Sequence, residues 1–310
     1  MRIIFMGTPD FAVPCLEALI KSDDEVVGVF TQPDKPKGRG YELTPPPVKL
    51  CAKEYNIPVF QPKSMRDGEA LSIINTLNAE LIIVVAFGKI LPAEILNSVK
   101  YGCINIHASL LPKLRGAAPI QWSILNGETE TGVTSMKMDV GLDTGDMLIK
   151  KSTQISDDMN AGELHDKLSA LGAEVLLETI SALKSKSLTP QKQDDSLSSY
   201  APMLSKELSP IDFSKDAVSV HNQIRGLYPW PVAVTVLNGK KVKVHKSRLS
   251  TETFSGKAGE LVDNNGRLII ACGDGNCIEI LELQLEGKKK TDAASFLRGH
   301  KTDIGTVLGG

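Results

Sequence analysis

The sequence predicts an α/β fold followed by a smaller β domain. In the first half, short apolar strands alternate with amphipathic helices, which is typical of a parallel sheet covered on both faces. After about residue 210 the chain changes to short alternating strands with hairpin turns such as Leu237-Asn238-Gly239-Lys240. The length of 310 residues also favours two domains, because single cores stop growing at roughly 250–300 residues.

The order of elements in the first half reads β-α-β-α-α-β-β-α, which predicts a Rossmann-like, mostly parallel sheet. The predicted strands are Arg2–Met6, Val26–Phe30, Leu81–Ala86 and Cys103–His107, and the predicted helices are Phe11–Lys21, Pro47–Tyr55, Asp67–Leu77 and Ala117–Leu125. Gly7-Thr8-Pro9 follows the first strand and lacks the Gly-x-Gly-x-x-Gly fingerprint. A Rossmann-like fold therefore does not imply NAD here.

Three regions follow from this pattern. A helix around Gly162–Leu183 closes a first domain over 1–184, and the polar stretch 185–210 is a predicted linker. Residues 211–310 form the predicted second domain, whose short strands suit a small barrel. Those strands are Val232–Leu237, Val242–Val244, Gly259–Val262, Leu268–Ala271 and Ile278–Leu285.

Composition indicates a cytoplasmic protein with reduced thiols. No stretch approaches the roughly 18 apolar residues of a membrane span, and the five cysteines form a scattered, odd-numbered set. Cys272 and Cys277 have no matching Cys/His pair, so we expect no metal. Residues 209–310 carry 14 Lys and Arg against 11 Asp and Glu, a net +3, whereas 1–208 carry 21 against 26, a net −5. Contacts with polyanions should therefore favour the second domain.

The most informative segment is Asn105–Gly116, which delivers an amide and an imidazole from one strand end into a sharp turn. Alternate side chains of a strand point the same way, so Asn105 and His107 share a face. Ligands of open α/β sheets bind outside the carboxyl ends of the strands, where this segment lies. A lone histidine after a strand is more often a structural residue, so the segment does not decide the function by itself.

A second polar turn, Asp139–Asp146, is rich in glycine and carboxylates and can return an acidic group to the first. A plain turn or a Ca²⁺ loop is the alternative. The Ca²⁺ interpretation lacks the glutamate that closes an EF-hand loop, because Leu148–Lys150 occupy that region. Asn105, His107 and Asp143 thus form a candidate triad.

Taken together, the two turns resemble the folate-dependent formyltransferases, in which an Asn, a His, a Ser-Leu-Leu-Pro turn and a Gly-x-Asp-x-Gly turn recur. Further segments are similar to the methionyl-tRNA formyltransferase branch of that family, and the likeness covers essentially the whole chain. These segments are Arg2–Phe11, Val29–Gly40, Gly116–Gln121, Leu227–Pro231 and Gly287–Lys289.

The resemblance implies transfer of a formyl group from 10-formyltetrahydrofolate, a co-substrate, to the amino group of methionyl-initiator-tRNA. It also implies an OB-like second domain. We expect no DNA or membrane partner, and a monomer. For such an acyl transfer, Asn105 and His107 offer hydrogen-bond donors, each worth about 3 kcal/mol in the transition state. Asp143 orients His107, balances its charge, or relays a proton. Ser109 is the rival nucleophile, but no Gly-x-Ser-x-Gly elbow surrounds it.

The implied folate-binding residues lie in three turns, with the Ser109 turn contributing its backbone: Phe87, Gly88, Ile90, Leu91, Ser109, Leu110, Leu111, Pro112, Val140, Gly141 and Leu142. The implied tRNA-binding residues are basic. They are Lys35, Lys37 and Arg39 in the insertion after the second strand, Lys206 in the linker and Lys243 in the second domain. A solvated surface loop is the alternative for the insertion.

Three other functions remain open from the residues alone. A sibling enzyme would formylate a small amine such as glycinamide ribonucleotide or an amino sugar, and would not need the basic insertion or the second domain. Another sibling would hydrolyse the folate, but is normally fused to a dehydrogenase domain, for which 209–310 is too short. A non-catalytic RNA-binding module is the third, and the intact Asn105, His107 and Asp143 argue against it.

Overall fold

The computed structural model describes residues 1–37, 42–251 and 254–309. The chain forms two compact units, each assembled from three segments. The N-terminal unit comprises Met1–Gly116, Thr131–Thr153 and His165–Ala201, and the C-terminal unit comprises Ala117–Glu130, Gln154–Leu164 and Pro202–Gly310.

The elements alternate between strands and helices up to residue 184. In chain order they are β1 (Arg2–Gly7), α1 (Val13–Ile20), β2 (Glu25–Phe30), β3 (Lys35–Lys37), β4 (Glu42–Thr44), α2 (Pro47–Glu54), β5 (Val59–Phe60), α3 (Glu69–Thr76), β6 (Leu81–Val85), α4 (Ala93–Leu96), β7 (Cys103–His107), β8 (Arg115–Gly116), α5 (Pro119–Leu125), β9 (Glu130–Lys137), β10 (Met147–Gln154) and α6 (Ala161–Lys184). The eight predicted elements are all present, with bounds that differ by a few residues.

The main sheet of the N-terminal unit has the strand order β10-β9-β7-β6-β1-β2-β5. Strands β7, β6, β1, β2 and β5 are parallel to their neighbours among these five, and β9 is antiparallel to β7. The mostly parallel, Rossmann-like prediction is therefore confirmed. β1 and β6 are almost entirely buried, because both faces of such a sheet are covered.

The sequence did not predict β9, although it borders the strand that carries Asn105 and His107. β9 is buried but polar in composition, and its hydroxyls find partners inside the protein. Thr134 Oγ1 donates to the carbonyl of Ser109 at 2.7 Å, and Ser135 Oγ lies 2.7 Å from Thr179 Oγ1. Because these hydrogen bonds satisfy the hydroxyls, the strand needs no apolar pattern, which is the pattern that strand prediction relies on.

Two polar stretches have more structure than predicted. In the basic insertion, β3 and β4 pair antiparallel. Residues 38–41, which connect these two strands, lie outside the described residues. In the predicted linker, β11 (Tyr200–Ala201) pairs parallel with β8, and short 3₁₀ turns cover Asp195–Leu197 and Lys206–Leu208. The stretch is rich in Ser, Asp and Lys, a composition that predicts an unstructured linker. Its structure depends instead on hydrogen bonds to distant residues, which composition does not reveal.

The C-terminal unit is built on an antiparallel, barrel-like sheet, as predicted. After α7 (Ala217–Gly226) come β12 (Ala233–Leu237), β13 (Lys240–Leu249), β14 (Leu261–Asp263), β15 (Leu268–Ala271), β16 (Cys277–Leu285), β17 (Thr291–Asp292) and α8 (Ala293–Gly299). The strand order is β12-β13-β16-β15-β14, with β17 on β16. Asn238 and Gly239 have φ of 49° and 71°, as the predicted tight hairpin requires. The sequence did not predict β17 and α8.

The apolar faces of α7 and of this sheet form one core, which includes Val220, Ile224, Val244, Ile270 and Ile280. The five cysteines are free and buried, which confirms that they are thiols. Burial raises the pKa of Cys15 and of Cys103 to about 12. Within the described ranges, no helix is long and apolar enough to cross a membrane.

Candidate active site

The candidate site lies at the carboxyl edge of the parallel strands, where β7 ends at His107. Asn105 pairs with Val84 of β6 and Met136 of β9, and His107 pairs with Thr134. The intervening Ile106 is buried, so Asn105 and His107 project from one face of the strand and Ile106 from the other. Across 1–37, 42–251 and 254–309, the half-buried amide of Asn105 makes no hydrogen bond. This amide is therefore available to bind a ligand.

The imidazole of His107 is buried and held from one side. Its Nε2 lies 3.0 Å from the carbonyl oxygen of Leu114. A carbonyl only accepts, so Nε2 carries the hydrogen in this bond. Nδ1 faces the carboxylate of Asp143, with Nδ1 and Oδ2 3.7 Å apart. The ring therefore keeps Nδ1 available to accept a proton, next to a carboxylate that would pair with the imidazolium.

Asp143 reaches His107 from the glycine-rich turn between β9 and β10. Its Oδ2 accepts a hydrogen bond from the backbone N–H of Gly116 at 2.8 Å. Its φ is 53°, a left-handed conformation that Asp tolerates better than most residues. The turn is closed by Asp139, whose Oδ1 accepts from Gly141 N at 3.0 Å and Thr144 Oγ1 at 2.7 Å. The structure thus brings together all three residues of the candidate triad.

Gln193, Arg115 and Ser199 support this arrangement, and the sequence analysis gave none of them a role, although Arg115 lies in the segment Asn105–Gly116. Gln193 is buried and donates from Nε2 to the carbonyls of Asp143 at 2.8 Å and Gly145 at 2.7 Å. Its Oε1 accepts from Arg115 Nε at 3.0 Å and Nη2 at 2.8 Å. Ser199 Oγ accepts from the N–H of Leu114 at 2.9 Å. No local sequence signal marks these residues, since their partners lie far away along the chain.

The Ser109 turn follows His107 directly and is held by internal hydrogen bonds. Ser109 is fully buried, and its Oγ donates to the carbonyl of Lys113 at 2.6 Å. Thr134 Oγ1 donates to the carbonyl of Ser109 and accepts from the N–H of Leu111 at 3.2 Å. Leu111 is buried as well, whereas Leu110 and Pro112 are half-buried. A hydroxyl buried and bonded in this way is poorly placed for nucleophilic attack.

Of the four folate-binding residues predicted in the turn after β6, two are buried and two are exposed. Phe87 and Leu91 are buried in the core of the N-terminal unit, whereas Gly88 and Ile90 are exposed. Gln32 holds the turn, because its Nε2 donates to the carbonyls of Phe87 at 3.1 Å and Gly88 at 3.2 Å. A Cβ on Gly88, whose φ is 75°, would lie 2.3 Å from that Nε2. Glycine therefore permits this close approach.

Exposed apolar side chains lie in the turn after β6 and in the turn between β9 and β10. Ile90 is 71% exposed, Val140 79% and Leu142 56%, and Gly141 between the last two is exposed as well. Single exposed apolar residues are ordinary, but several of them in turns, one of which also carries Asp143, are typical of a binding site. A flat aromatic ligand suits such residues.

The predicted tRNA contacts are divided between the two units of the chain. Lys35 is exposed, and its Nζ donates to Gln32 Oε1 at 2.8 Å. Lys37 ends β3, and Arg39 lies outside the described residues. In the C-terminal unit, Lys206 is exposed in a 3₁₀ turn, and Lys243 is exposed on β13 between the buried Val242 and Val244. For metals, the described residues contain no group of three or more His, Cys, Asp or Glu suited to binding an ion.

Comparison with known proteins places this geometry in context. Residues 1–180 match the family Formyl transferase, and residues 203–301 match Formyl transferase, C-terminal domain. The chain is 53% identical over 310 residues to a methionyl-tRNA formyltransferase of Citrifermentans bemidjiense, covering 100% of this chain and 96% of that protein. It is 52% identical over 311 residues to one of Geobacter sulfurreducens, covering 100% and 97%.

Among solved structures, the fold is similar to that of WlaRD, a sugar 3N-formyl transferase crystallised in the presence of dTDP and 5-N-formyl-THF. The TM-score is 0.70 at 24% identity, and the match covers 93% of this chain and 99% of that one. At this identity the likeness concerns the fold alone.

Proposed function

The chain belongs to the methionyl-tRNA formyltransferase family, and we propose that it transfers the formyl group of 10-formyltetrahydrofolate to the amino group of methionyl-initiator-tRNA. The product, N-formylmethionyl-tRNA, serves translation initiation, which makes the cytoplasm the proposed place of action. We further propose that the enzyme works as a monomer. Its polyanionic partner is tRNA, and neither DNA nor a membrane takes part.

The observation that carries the chemistry is the free amide of Asn105 beside the facing pair His107 and Asp143. In our proposal Asn105 Nδ2 donates to the formyl oxygen, where negative charge develops as the amine attacks. A preorganised donor of this kind is worth roughly 3 kcal/mol in the transition state. The amide is half-buried and unpartnered among the described residues, so donation to the substrate breaks no hydrogen bond to another described residue.

In this proposal His107 accepts the proton that the amine loses, and Asp143 stabilises the protonated ring. The amine loses a proton when it forms the new C–N bond, and the folate nitrogen gains one when its bond to the formyl carbon breaks. Nδ1 of His107 accepts the first proton, directly or through water, and Asp143 stabilises the resulting imidazolium. The 3.7 Å separation of Nδ1 and Oδ2 supports this, because catalytic hydrogen bonds are often long before substrate binds.

The neutral His107 has no second N–H for the formyl oxygen, because Nε2 donates to the Leu114 carbonyl. The donor role expected of His107 is therefore open only to the protonated ring, whose Nδ1–H lies on the side of the Asp143 carboxylate. Asn105 is the donor throughout the reaction.

The folate donor supplies an activated formyl carbon, and the residues around the site fit it. Ile90, Val140 and Leu142 are exposed apolar side chains suited to a flat pterin ring, and the backbone around Gly88 and Gly141 offers polar groups. Phe87 and Leu91 support the turn after β6 from the core, and Ser109, Leu110, Leu111 and Pro112 form the turn that follows His107. We propose that these residues bind the folate.

For tRNA we propose a division of labour along the chain. Residues 1–184 bind the formyl donor and carry the catalytic groups, and residues 211–310 bind the tRNA. Residues 185–210 connect these two regions. Lys206 and Lys243 supply positive charge in the C-terminal unit, and Lys35, Lys37 and Arg39 meet the acceptor end. The net charges of +3 for 209–310 and −5 for 1–208 support this assignment.

An acceptor comparison tests the proposal. Purified protein and 10-formyltetrahydrofolate are mixed separately with methionyl-initiator-tRNA, methionyl-elongator-tRNA and glycinamide ribonucleotide, and formyl incorporation is followed. We expect rapid formylation of the initiator tRNA alone. Preferential formylation of glycinamide ribonucleotide, or release of formate with no acceptor formylated, would contradict it.

A further inference from the structure

The turn that carries Asp143 is held by a residue outside the strands of the sheet. Asp143 has a φ of 53°, and a non-glycine residue keeps such a conformation only where its surroundings fix it. Its carboxylate is held by Gly116 N. Its own carbonyl and that of Gly145 both accept hydrogen bonds from Nε2 of Gln193, so one amide fixes the backbone on both sides of Thr144.

Gln193 also bonds Arg115, in the segment that follows His107. Its Oε1 accepts two hydrogen bonds from the guanidinium of Arg115. Arg115 directly follows Leu114, whose carbonyl oxygen accepts the hydrogen bond from His107 Nε2. The side chain of Gln193 is therefore a second link, beside the Gly116–Asp143 hydrogen bond, between the segment that orients the imidazole and the turn that orients the carboxylate.

All hydrogen-bonding groups of this side chain are used, and Gln193 is only 7% exposed. A glutamine is suited to this position because it is both a donor to two carbonyls and an acceptor from a cation. Neither a carboxylate nor an aliphatic side chain offers both.

We propose that Gln193 is a positioning residue for formyl transfer, which sets the Asp143 carboxylate relative to His107 through its bonds to the carbonyls of Asp143 and Gly145. This inference rests on the proposed roles of His107 and Asp143. Gln193 itself contacts neither reacting group, so its effect on catalysis passes through Asp143.

Gln193→Glu is the primary test. Glutamate keeps the acceptor for Arg115 and the size of the side chain, but it loses the two donor hydrogens and places a negative charge against two carbonyl oxygens. We expect kcat to fall by roughly 10- to 100-fold, because misplacing a catalytic group by about 1 Å costs about 10²-fold. KM for methionyl-tRNA should change by less than about threefold, since that substrate makes no contact with Gln193 in the proposal.

Gln191→Glu is the matched control. It makes the same change two residues away, at an exposed position where the backbone alone bonds to Met147. We expect it to behave as the unmodified protein. Gln193→Met, which keeps the length without introducing a charge, is measured in parallel so that the test stands if the glutamate variant fails to fold.

A combination with Asp143→Asn separates positioning from general structural support. If Gln193 acts through Asp143, either Gln193 substitution should lower kcat much less in the Asp143→Asn background than in the unmodified protein. An equal fold-loss in both backgrounds would overturn the inference, and so would an unchanged kcat in both Gln193 variants. A normal rate for Asp143→Asn alone would instead overturn the proposed role of Asp143.

Discussion

The carboxylate of Asp143 faces Nδ1 of His107 across 3.7 Å, while the opposite nitrogen of the ring is bonded to the Leu114 carbonyl. The ring thus has one nitrogen fixed by the backbone and one directed at a carboxylate. Asp143 is held in turn by the Gly116 N–H. Two turns distant in sequence therefore define the orientation of one acid–base pair.

Asn105→Asp should remove activity with little effect on stability. Aspartate keeps the shape but replaces the donor with an acceptor, and loss of one such donor costs roughly 10²- to 10³-fold in kcat. Since the amide has no partner among the described residues, the thermal midpoint should stay nearly constant. Asn126→Asp, at an exposed position, makes the same change in charge and should leave kcat unaltered. A kcat within threefold of normal for Asn105→Asp would remove Asn105 from the mechanism.

Gly145→Ala should displace the turn that carries Asp143. A Cβ at this position would lie 1.8 Å from the carbonyl oxygen of Lys137, so the backbone has to move. We expect a loss of roughly 1–3 kcal/mol in the free energy of unfolding and a lower kcat. Gly299→Ala is the control, because a Cβ there meets no atom within 4 Å. Equal urea-unfolding curves and equal rates for the two variants would show that the turn is not tightly fixed.

The stability of the protein should decrease as the pH falls below about 6.5, in part because of His221. Burial lowers the pKa of His221 from the usual 6.5, and the ring bonds Ser247 Oγ and the Asp157 carbonyl. Because the pKa of His221 is lower in the folded protein, the unfolded chain binds more protons than the folded protein once the pH falls below about 6.5. The stability that the neutral, buried ring contributes is therefore fully present above pH 6.5. It is lost as the pH falls toward the folded pKa.

His221→Gln tests this dependence. The difference in free energy of unfolding between pH 7.5 and pH 5.5 should be smaller in the variant than in the unmodified protein, as measured by urea titration. His165→Gln, at a half-exposed position, serves as the comparison. An identical pH dependence in His221→Gln would show that the buried ring does not contribute.

Arg39→Ala should depress formyl transfer to methionyl-tRNA and leave folate binding unchanged. Arg39 lies outside the described residues, so this prediction comes from the sequence. A guanidinium binds phosphate in a forked geometry or stacks on a base, and Lys reproduces neither well. Arg39→Lys should therefore also reduce kcat/KM for the tRNA. Normal kcat/KM in both variants would show that Arg39 is a solvated surface residue.

The site could be predicted from sequence where its geometry is local. Asn105 and His107 share a face because alternate residues of any strand do, and the strand itself is marked by Cys103, Ile104 and Ile106. The two-residue hairpin at Asn238 and Gly239 is equally local, since its dihedral angles depend on those two residues.

What could not be predicted depends on contacts between distant residues. β9 is buried through hydroxyl hydrogen bonds such as that of Thr134 to Ser109, which no apolar periodicity reveals. Gln193 lies in a polar stretch that was predicted as a linker, and its partners are Arg115, Asp143 and Gly145. Only the folded chain brings these four residues together.

The central claim is that His107 and Asp143 act as one pair in formyl transfer, and single-turnover kinetics test it most directly. The rate of formyl transfer to methionyl-initiator-tRNA is measured at saturating folate for His107→Gln, Asp143→Asn and the double variant. Asp146→Asn, an exposed aspartate of the same turn, is the control. We expect each single variant to lose at least about 10²-fold, the double variant to lose little more than either, as residues that act as a unit do, and the control to retain its rate. Full additivity of two such losses, or a rate within threefold of normal for Asp143→Asn, would contradict the account.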